Sequence, residues 1–290
     1  MKRKFDVITD SACDMPKSYY EKHDVGVVAL GFTMDNVNYE GACGQHIDEK
    51  TFYAKMRAGS MPTTYQVTAE EAKGKMEESL RQGRDVLVVA FSSGLSGTAD
   101  SFFVAQRELI KRYPKRKIVV VDSLCASMGE GLLLDYVVKK ADSGAEIEET
   151  AEFAEGLKGK ICHHFTVDNL FHLKRGGRVS STTAVIGSIL KIKPIMKMDA
   201  EGKLTVVGKA MGRKKALTTL IENVLASADV GEKDPIFISH GDCKADAEYV
   251  KELLLLKFPS AKIKIHYVGS VIGTHAGAGV LAIFHKGKTR

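Results

Sequence analysis

The chain has 290 residues, a formal net charge of +6 and a hydrophobic fraction of 44%. That length suits two domains of ordinary size, and the composition is typical of a folded globular protein, which excludes a disordered chain. The apolar runs of the chain, such as 131–134 and 253–256, are too short to cross a bilayer, so we expect no stable membrane insertion.

The 42 basic residues are spread over the whole chain and form no basic stripe interleaved with aromatic residues. This distribution indicates a solvated surface and argues against a nucleic-acid partner. The basic start at 1–4 is followed at 5–10 by two acidic residues and no apolar core, which is unlike a secretory signal peptide. We therefore expect a cytoplasmic protein.

The five cysteines are widely separated in the sequence, at positions 13, 43, 125, 162 and 243. They form no C-x-x-C pair, and an odd number without a signal peptide does not suit a disulfide framework. Cys162, His163 and His164 are adjacent in a predicted strand, where neighbouring side chains point to opposite faces, so the three cannot all ligate one metal ion. We expect neither a metal site nor a disulfide.

Short β-branched runs alternate with helical stretches through the first half of the chain. The predicted strands cover 5–9, 25–30, 85–91 and 117–122, and the predicted helices cover 68–82, 96–113, 128–141 and 146–157. Thr68 and Glu71 have the spacing of a capping box that opens the first helix. Because the last two strands are almost continuously apolar, they are typical of buried parallel strands. The pattern predicts a doubly wound α/β domain over residues 1–160.

The pattern changes near residue 160. The predicted strands now cover 162–167, 194–198, 204–208, 235–240, 263–268 and 280–285, and the predicted helices cover 180–192, 213–228 and 245–257. The strands at 194–198 and 204–208 flank a short turn and together resemble a hairpin. These features predict an α+β domain over residues 161–290, so the predicted fold class is α/β with two domains.

A loop rich in serine and glycine, at 91–98, joins a predicted strand to a predicted helix. Ligands bind at this edge of open α/β sheets, and a helix N-terminus favours an anion. The same residues would also suit a tight turn capped by serines. They do not complete the G-x-S-x-G motif of serine hydrolases, because Thr98 stands where the last glycine would be.

Three further segments carry candidate binding residues. His275 lies among four glycines at 269–279, on a predicted loop where little bulk would separate the imidazole from a ligand. Arg175 and Arg178 flank paired glycines at 173–180, which suits an acidic group or a partner protein, and equally suits a solvated turn. Thr64 lies in a hydroxyl-rich predicted loop at 62–68.

In this order, the segments resemble the DegV family of fatty-acid-binding proteins. The matching segments are ITDSACDMP at 8–16, SSGLSGT at 92–98, DS at 122–123, LKRGGRVS at 173–180, KPI at 193–195, GKL at 202–204, RKKA at 213–216, HG at 240–241 and GSVIGTHAGAG at 269–279. The resemblance implies two α/β-type domains with a tunnel between them. It also implies a bound long-chain fatty acid such as palmitate, stearate or oleate, and no cofactor.

Carried over by motif, the resemblance implies that the fatty-acid carboxylate meets Thr64, Ser93 and His275, with Ser92 and Ser96 close by. Hydroxyl groups and an imidazole can hydrogen-bond a buried carboxylate without a covalent step, so the implied role is a lipid-binding carrier and not an enzyme. The alternative is a serine-dependent acyl hydrolase or transferase that uses Ser93 or Ser96 with His275. No acid that would orient the histidine is identifiable in the sequence, which argues against this alternative.

The resemblance also implies a partner. Proteins of this family hold the fatty acid while a fatty acid kinase phosphorylates its carboxyl group with ATP. Arg175 falls where the family has an arginine associated with kinase docking, and Arg178 lies beside it in the same motif. We therefore expect these two arginines to form part of a docking surface.

Overall fold

The computed structural model describes residues 3–40, 47–180, 191–231 and 234–290. The strands within these ranges are β1 (Phe5–Asp10), β2 (Val25–Val28), β3 (Gly31–Met34), β4 (Val37–Glu40), β5 (Thr63–Tyr65), β6 (Asp85–Ala90), β7 (Ile118–Asp122), β8 (Ile161–Thr166), β9 (Ile192–Met198), β10 (Leu204–Met211), β11 (Pro235–His240), β12 (Lys262–Tyr267) and β13 (Leu281–Lys286). The helices are α1 (Lys17–Lys22), α2 (Glu49–Arg57), α3 (Ala69–Arg81), α4 (Thr98–Arg112), α5 (Met128–Asp142), α6 (Ile147–Lys158), α7 (Phe171–Arg175), α8 (Arg213–Ser227), α9 (Lys244–Lys257) and α10 (Ser270–Ala276).

Four parallel strands form the first sheet, in the order β2-β1-β6-β7. Helices α3 and α4 cover one face of this sheet, and α5 and α6 cover the other. Alternation along β6 explains the two cores, because Val86 and Val88 pack with α3 and α4 whereas Leu87 and Val89 pack with α5 and α6. The predicted doubly wound α/β arrangement is confirmed.

The start of α3 shows how local sequence sets an element boundary. The Thr68 hydroxyl accepts the Glu71 N–H at 3.2 Å, and the Glu71 carboxylate accepts the Thr68 N–H at 2.7 Å. This is the predicted capping box, and it satisfies two donors that the first helical turn would otherwise leave free. Beyond it, Ala72, Met76 and Leu80 recur every four residues and bury one face of the helix.

Six strands form the second sheet, in the order β10-β9-β8-β13-β11-β12. Neighbouring strands are antiparallel except for the parallel pair β11 and β12. The β9–β10 pair is the predicted hairpin, and its turn uses Gly202 at φ +70° while the Asp199 carboxylate accepts the N–H groups of Glu201 and Lys203. Helices α8 and α9 cover one face of this sheet.

Helix α5 lies between the two large sheets. It contacts β1 and β6 of the first sheet and β8, β11 and β13 of the second. The consecutive residues Leu132, Leu133 and Leu134 are all fully buried, as expected where a helix packs against other elements on every side. One continuous core therefore includes residues of both sheets, such as Leu87 and Phe284.

Two predicted loops are regular structure instead. Thr63–Tyr65 is strand β5, which pairs with β3 in a three-stranded antiparallel sheet of order β4-β3-β5. Ser270–Ala276 is helix α10, so His275 lies on a helix and not on a loop. Hydroxyl-rich and glycine-rich composition favours turns locally. Pairing with β3 and burial of Val271 and Ala276 override that preference here.

The remaining predictions concern boundaries. The predicted helix at 180–192 falls mainly on 181–190, outside the described residues, and Ile192 already belongs to β9. The first sheet ends with β7 and the second begins with β8, while the domain division at residue 160 stays a prediction.

Among the described residues, no helix is both long and apolar enough to cross a membrane. Four cysteines of the described residues are free thiols: Cys13, Cys125, Cys162 and Cys243.

Candidate functional site

A cavity of about 610 Å³ lies between the two large sheets. Pockets that hold small molecules have volumes of roughly 300–1,000 Å³. Its wall is mostly apolar and includes Leu30, Phe91, Ala126, Phe165, Leu173, Met198, Leu204, Val268, Val271, Ile272, Ala276, Val280, Ala282 and Phe284. Strands of the second sheet, the segments that follow β2 and β6 of the first sheet, the segment before α5 and helix α10 all supply these side chains, so the cavity exists only in the folded chain. Its lining suits a ligand with a long apolar part.

Five polar side chains on the same wall form what we call the polar cluster: Thr64, Ser96, Arg175, Arg178 and His275. At its centre, Thr64 Oγ1 and His275 Nε2 are 2.8 Å apart and hydrogen-bonded. Strand β5 supplies Thr64, whose register is set by pairing with the buried Phe32 of β3. Helix α10 supplies His275 one residue before its end, where Gly277 takes φ +80° and lets the chain turn away.

His275 is uncharged at neutral pH. Burial, together with the smaller effects of the positive charges of Arg178 and Arg175 and of the neighbouring His172, lowers the pKa of its imidazole to about 4. Its Nδ1 atom is buried and has no hydrogen-bond partner among the described residues. A neutral imidazole beside two guanidinium groups can donate one hydrogen bond to an anion that the guanidinium charges attract.

The backbone of α7 approaches His275 closely at Gly176. A Cβ atom at Gly176 would lie 2.1 Å from His275 Nδ1, far inside ordinary contact distance. Gly176 itself has φ −78°, which any residue can adopt, so the close approach and not the backbone conformation requires glycine here. The paired glycines after Arg175 therefore allow α7 and α10 to pack with the imidazole between them.

The serine–glycine loop contributes one of its three candidate serines to the cavity. Ser96 lines the cavity, and its hydroxyl accepts the Thr98 N–H at 3.2 Å at the start of α4. Ser92 is fully buried, and its hydroxyl donates to the Gly202 carbonyl at 2.8 Å. Ser93 is exposed. The structure thus brings Thr64, Ser96 and His275 to one wall and leaves Ser92 and Ser93 outside the cavity lining.

The two arginines of the polar cluster bind backbone carbonyls around it. Arg175 donates to the Pro62 carbonyl at 2.7 Å and to the Thr274 carbonyl at 3.4 Å, and it is otherwise exposed. Arg178 donates to the Leu95 carbonyl from two nitrogens, at 3.1 and 2.9 Å. These bonds tie α7 and the residues after it to β5, α10 and the serine–glycine loop.

A second polar group lies on the wall at Ser127 and Ser239, whose hydroxyls are 3.2 Å apart. The Ser127 hydroxyl also hydrogen-bonds the Asp14 carboxyl at 2.5 Å. Burial raises the pKa of Asp14 to about 8, so this carboxyl is protonated and neutral at pH 7. His163 accepts the Ala126 N–H at 3.2 Å through Nε2, and burial holds its pKa well below the usual range. This part of the wall is therefore polar but uncharged.

Sequence reasoning missed most of this wall. The apolar residues of β8 and β13 were assigned to strands, but which face of each strand borders a cavity depends on the packing of the whole chain. Gln66 was also missed, although it is close to Thr64 in sequence, and its side-chain carbonyl accepts the Gly97 N–H at 3.1 Å. Ser239 could have been recognised from the sequence. It is a lone hydroxyl directly after the apolar strand residues Ile236–Ile238, and a buried hydroxyl needs a hydrogen-bond partner.

Comparison with known proteins adds family relationships to this geometry. The sequence model described as "Uncharacterised protein, DegV family" matches residues 4–287. A DegV domain-containing protein of Clostridium perfringens is 42% identical to this chain over 288 residues, which is 99% of each protein. A DegV domain-containing protein of Lactococcus lactis is 33% identical and covers 97% of this chain and 96% of its own length.

Solved structures also match along the whole chain. The structure of a DegV family protein from Thermus thermophilus, which is described as binding a fatty acid, superposes on this chain with a TM-score of 0.88. The two chains are 27% identical, and the match covers 98% of this chain and 99% of the other chain. DegV of Bacillus subtilis, described as a fatty acid binding protein, superposes with a TM-score of 0.85 at 30% identity. The match covers 99% of this chain and 100% of the Bacillus subtilis chain.

Proposed function

The chain belongs to the DegV family, and we propose that it is a carrier that binds a long-chain fatty acid in the cavity between its two large sheets. The observation that carries this proposal is the hydrogen-bonded pair Thr64–His275 on the wall of an otherwise apolar cavity. A fatty acid has the same two parts, since one polar carboxylate is joined to a long hydrocarbon chain.

The apolar wall supports binding of the hydrocarbon chain. Removing one methylene from water contributes about 0.8 kcal/mol, so about ten buried methylenes correspond to roughly micromolar affinity before the entropic costs of binding. The cavity volume of about 610 Å³ suits an acyl chain of this class. Palmitate, stearate and oleate are the ligands we propose.

The polar cluster supports binding of the carboxylate. A carboxylate that leaves water must receive hydrogen bonds, because its desolvation otherwise costs several kcal/mol. The Thr64–His275 pair uses one hydrogen, an O–H or an N–H, in its own bond and has the other to donate, and Ser96 adds a further hydroxyl on the same wall. The guanidinium groups of Arg175 and Arg178 make the surroundings positive, which favours the ionised acid. Ser92 and Ser93, whose hydroxyls lie off the cavity wall, remain weaker candidates for this role.

The hydrolase alternative finds less support in the same contacts. His275 hydrogen-bonds Thr64, while Ser96 is paired with Thr98 at 2.9 Å. A catalytic histidine needs a group that orients its second ring nitrogen, and among the described residues Nδ1 of His275 has no such partner. We therefore favour a carrier that holds the acid unchanged.

We further propose that the carrier presents the carboxylate to a fatty acid kinase in the cytoplasm. In that reaction a carboxylate oxygen attacks the γ-phosphorus of ATP, and an acyl phosphate and ADP are formed. Hydrogen bonds from neutral hydroxyls and an imidazole leave the carboxylate without a covalent bond to the protein. Arg175 is exposed beside the cavity and is the proposed contact with the kinase, together with Arg178.

Mass spectrometry tests the binding proposal. We expect denaturing extraction of the purified protein to release a long-chain fatty acid, and delipidated protein to rebind palmitate or oleate. The Thr64→Val variant should rebind more weakly, because it keeps the side-chain shape and loses the hydroxyl. Thr33→Val is the matched control, since Thr33 lies in the same small sheet and bonds Asn38 instead of a cavity residue. A lipid-free protein that rebinds neither acid would refute the proposal.

A separate assay tests presentation to a kinase. A fatty acid kinase, ATP and the palmitate-loaded protein should yield ADP in proportion to the carrier present. Arg175→Ala should lower this rate more than it lowers palmitate affinity. Equal losses in both would assign Arg175 to ligand binding alone and would contradict the docking role.

A further inference from the structure

A cluster of metal-ligating side chains lies on the face of the second sheet that is turned towards α8. Cys162 and His164 are two residues apart in β8 and therefore share a face. Strand β13 pairs antiparallel with β8 and places His285 directly opposite Cys162. One sulfur atom and one nitrogen of each imidazole lie within 4.8 Å of one another. The adjacent His163 points to the other face, as the sequence predicts, but His285 from a distant strand takes its place.

These side chains are held in a closed site. Cys162 is 2% exposed, His164 is 8% exposed and His285 is fully buried. The two imidazoles stack at a centroid distance of 5.3 Å with 16° between their planes. Ser227, the last residue of α8, covers them, and its hydroxyl is 3.0 Å from His164 Nε2 and 3.3 Å from His285 Nε2.

The hydrogen bonds around the two imidazoles leave at least one ring nitrogen lone pair without a hydrogen-bond donor. The His285 Nδ1–H donates to the Lys286 carbonyl at 2.9 Å, so its Nε2 carries a lone pair. A neutral His164 also carries one lone pair, on Nδ1 or Nε2. The Ser227 hydroxyl has a single hydrogen, for which the Asn223 carbonyl at 2.7 Å also competes, so it can donate to at most one of these two lone pairs. Since His164 Nδ1 is buried without a partner among the described residues, at least one lone pair lacks a donor.

The bond from His285 to a backbone carbonyl is also the arrangement that orients metal-bound histidines. Such a bond fixes the tautomer and directs the other nitrogen to the metal. Zinc binds sulfur at about 2.3 Å and imidazole nitrogen at about 2.0–2.1 Å, so neighbouring ligand atoms lie about 3.3–3.7 Å apart. The three ligand atoms lie within 4.8 Å of one another, so they must move closer by about 1 Å to bind one zinc ion. Side-chain rotation can supply that movement.

The donor atoms of the cluster suit a transition metal. A coordinating divalent cation stabilises the thiolate form of a cysteine. One thiolate and two neutral imidazoles match the ligand preference of zinc and of similar borderline transition metals.

We propose that Cys162, His164 and His285 form a zinc-class metal site, with a fourth coordination position facing Ser227. The site lies behind the cavity wall, because His163 on the opposite face of β8 lines the cavity. It joins β8 to β13, two central strands of the second sheet, and so braces that wall without contacting the ligand.

Metal titration of the full chain tests this site. Chelator-stripped protein should bind one Zn²⁺ per chain by calorimetry, and Zn²⁺ should raise its melting temperature. Co²⁺ should give a thiolate-to-cobalt charge-transfer band together with the intense visible bands of a four-coordinate ion. Cys162→Ser should abolish the charge-transfer band and weaken Zn²⁺ binding by at least about tenfold, the loss seen when even an outer-shell partner is removed. Cys243→Ser is the control, since its thiol bonds the Val280 carbonyl away from the cluster, and it should bind like wild type.

The wild-type cobalt spectrum keeps the test decisive if Cys162→Ser fails to fold. A band in wild type and in Cys243→Ser supports the site. Absence of stoichiometric binding to wild type would overturn it, as would a Cys162→Ser protein that binds Zn²⁺ as tightly as wild type. Neither result depends on fatty-acid binding.

Discussion

Replacing Gly176 by alanine is the sharpest test of the polar cluster. The new Cβ would lie 2.1 Å from His275 Nδ1, whereas ordinary contact begins at 3.4 Å. The backbone of Gly176 already has a conformation that alanine adopts freely, with φ −78° and ψ −4°. The imidazole must therefore move by about 1 Å or more, and its 2.8 Å bond to Thr64 breaks.

The size of the effect follows from the proposed hydrogen bond between the Thr64–His275 pair and the fatty-acid carboxylate, which the displaced imidazole would also lose. A hydrogen bond to a charged group contributes about 1.5–3 kcal/mol, which corresponds to a change in dissociation constant of roughly 10- to 100-fold. We expect Gly176→Ala to weaken palmitate binding by that factor. Forcing a methyl group into a packed region costs about 1–3 kcal/mol of stability, so the variant should fold but melt at a lower temperature.

Gly159→Ala provides the matched control. Gly159 also ends a helix, with φ −71° and ψ −4°, and a Cβ there would meet no atom within 4 Å. Displacement of a fluorescent fatty acid from delipidated protein measures both variants. If Gly176→Ala binds palmitate as tightly as Gly159→Ala and wild type, His275 does not hold the carboxylate.

Three further predictions address the ligand and two buried titratable groups. Across saturated acids of increasing length, affinity measured by calorimetry should rise about fourfold per methylene until the cavity is full, because each methylene contributes about 0.8 kcal/mol. The stability of wild type relative to His275→Gln, measured by urea unfolding, should fall as the pH drops from 6.5 to 4, because the folded imidazole has a pKa of about 4 and the unfolded chain binds the proton first. The stability of wild type relative to Asp14→Asn should fall as the pH rises from about 4 to 8, because the folded carboxyl keeps its proton up to a pKa of about 8, and asparagine tolerates the φ of +52° at this position.

A different result would contradict each of these three predictions. Affinity independent of chain length would indicate a ligand bound at the surface and not in the cavity. A His275→Gln difference that is constant with pH would mean that the imidazole is solvated in the folded protein. A constant Asp14→Asn difference would mean that the Asp14 carboxyl is ionised at neutral pH in the folded state.

The fold class and the order of the elements that build the two large sheets were predictable from local patterns. Continuous apolar strands, the Thr68 capping box and the alternation of strands and helices gave the doubly wound half and the β9–β10 hairpin. The small sheet β4-β3-β5 was missed, because β5 has only three residues and its stability comes from pairing with β3. Helix α10 was missed because its short, glycine-flanked sequence has a weak helical preference of its own.

The candidate site was likewise only partly predictable from the sequence. The motifs contained Thr64, Ser96, His275, Arg175 and Arg178, all of which line the cavity. Their distances to one another were beyond sequence reasoning, because Thr64 and His275 meet only when β5 and α10 pack together. Ser92 and Ser93 show the limit of motif reading, since adjacent residues of one loop differ from Ser96 in burial and partners.

The sequence by itself determined the strands and helices of the two large sheets, because hydrophobic period and end-capping act over a few residues. It also determined the family, since many short motifs occur in one order along the chain. Only the tertiary structure decided which faces enclose a cavity and which distant side chains meet. The pairing of β8 with β13 brings His285 to Cys162, and the packing of α7 against α10 encloses His275. Contacts of this kind join residues far apart in the chain, so they depend on the packing of all the elements at once.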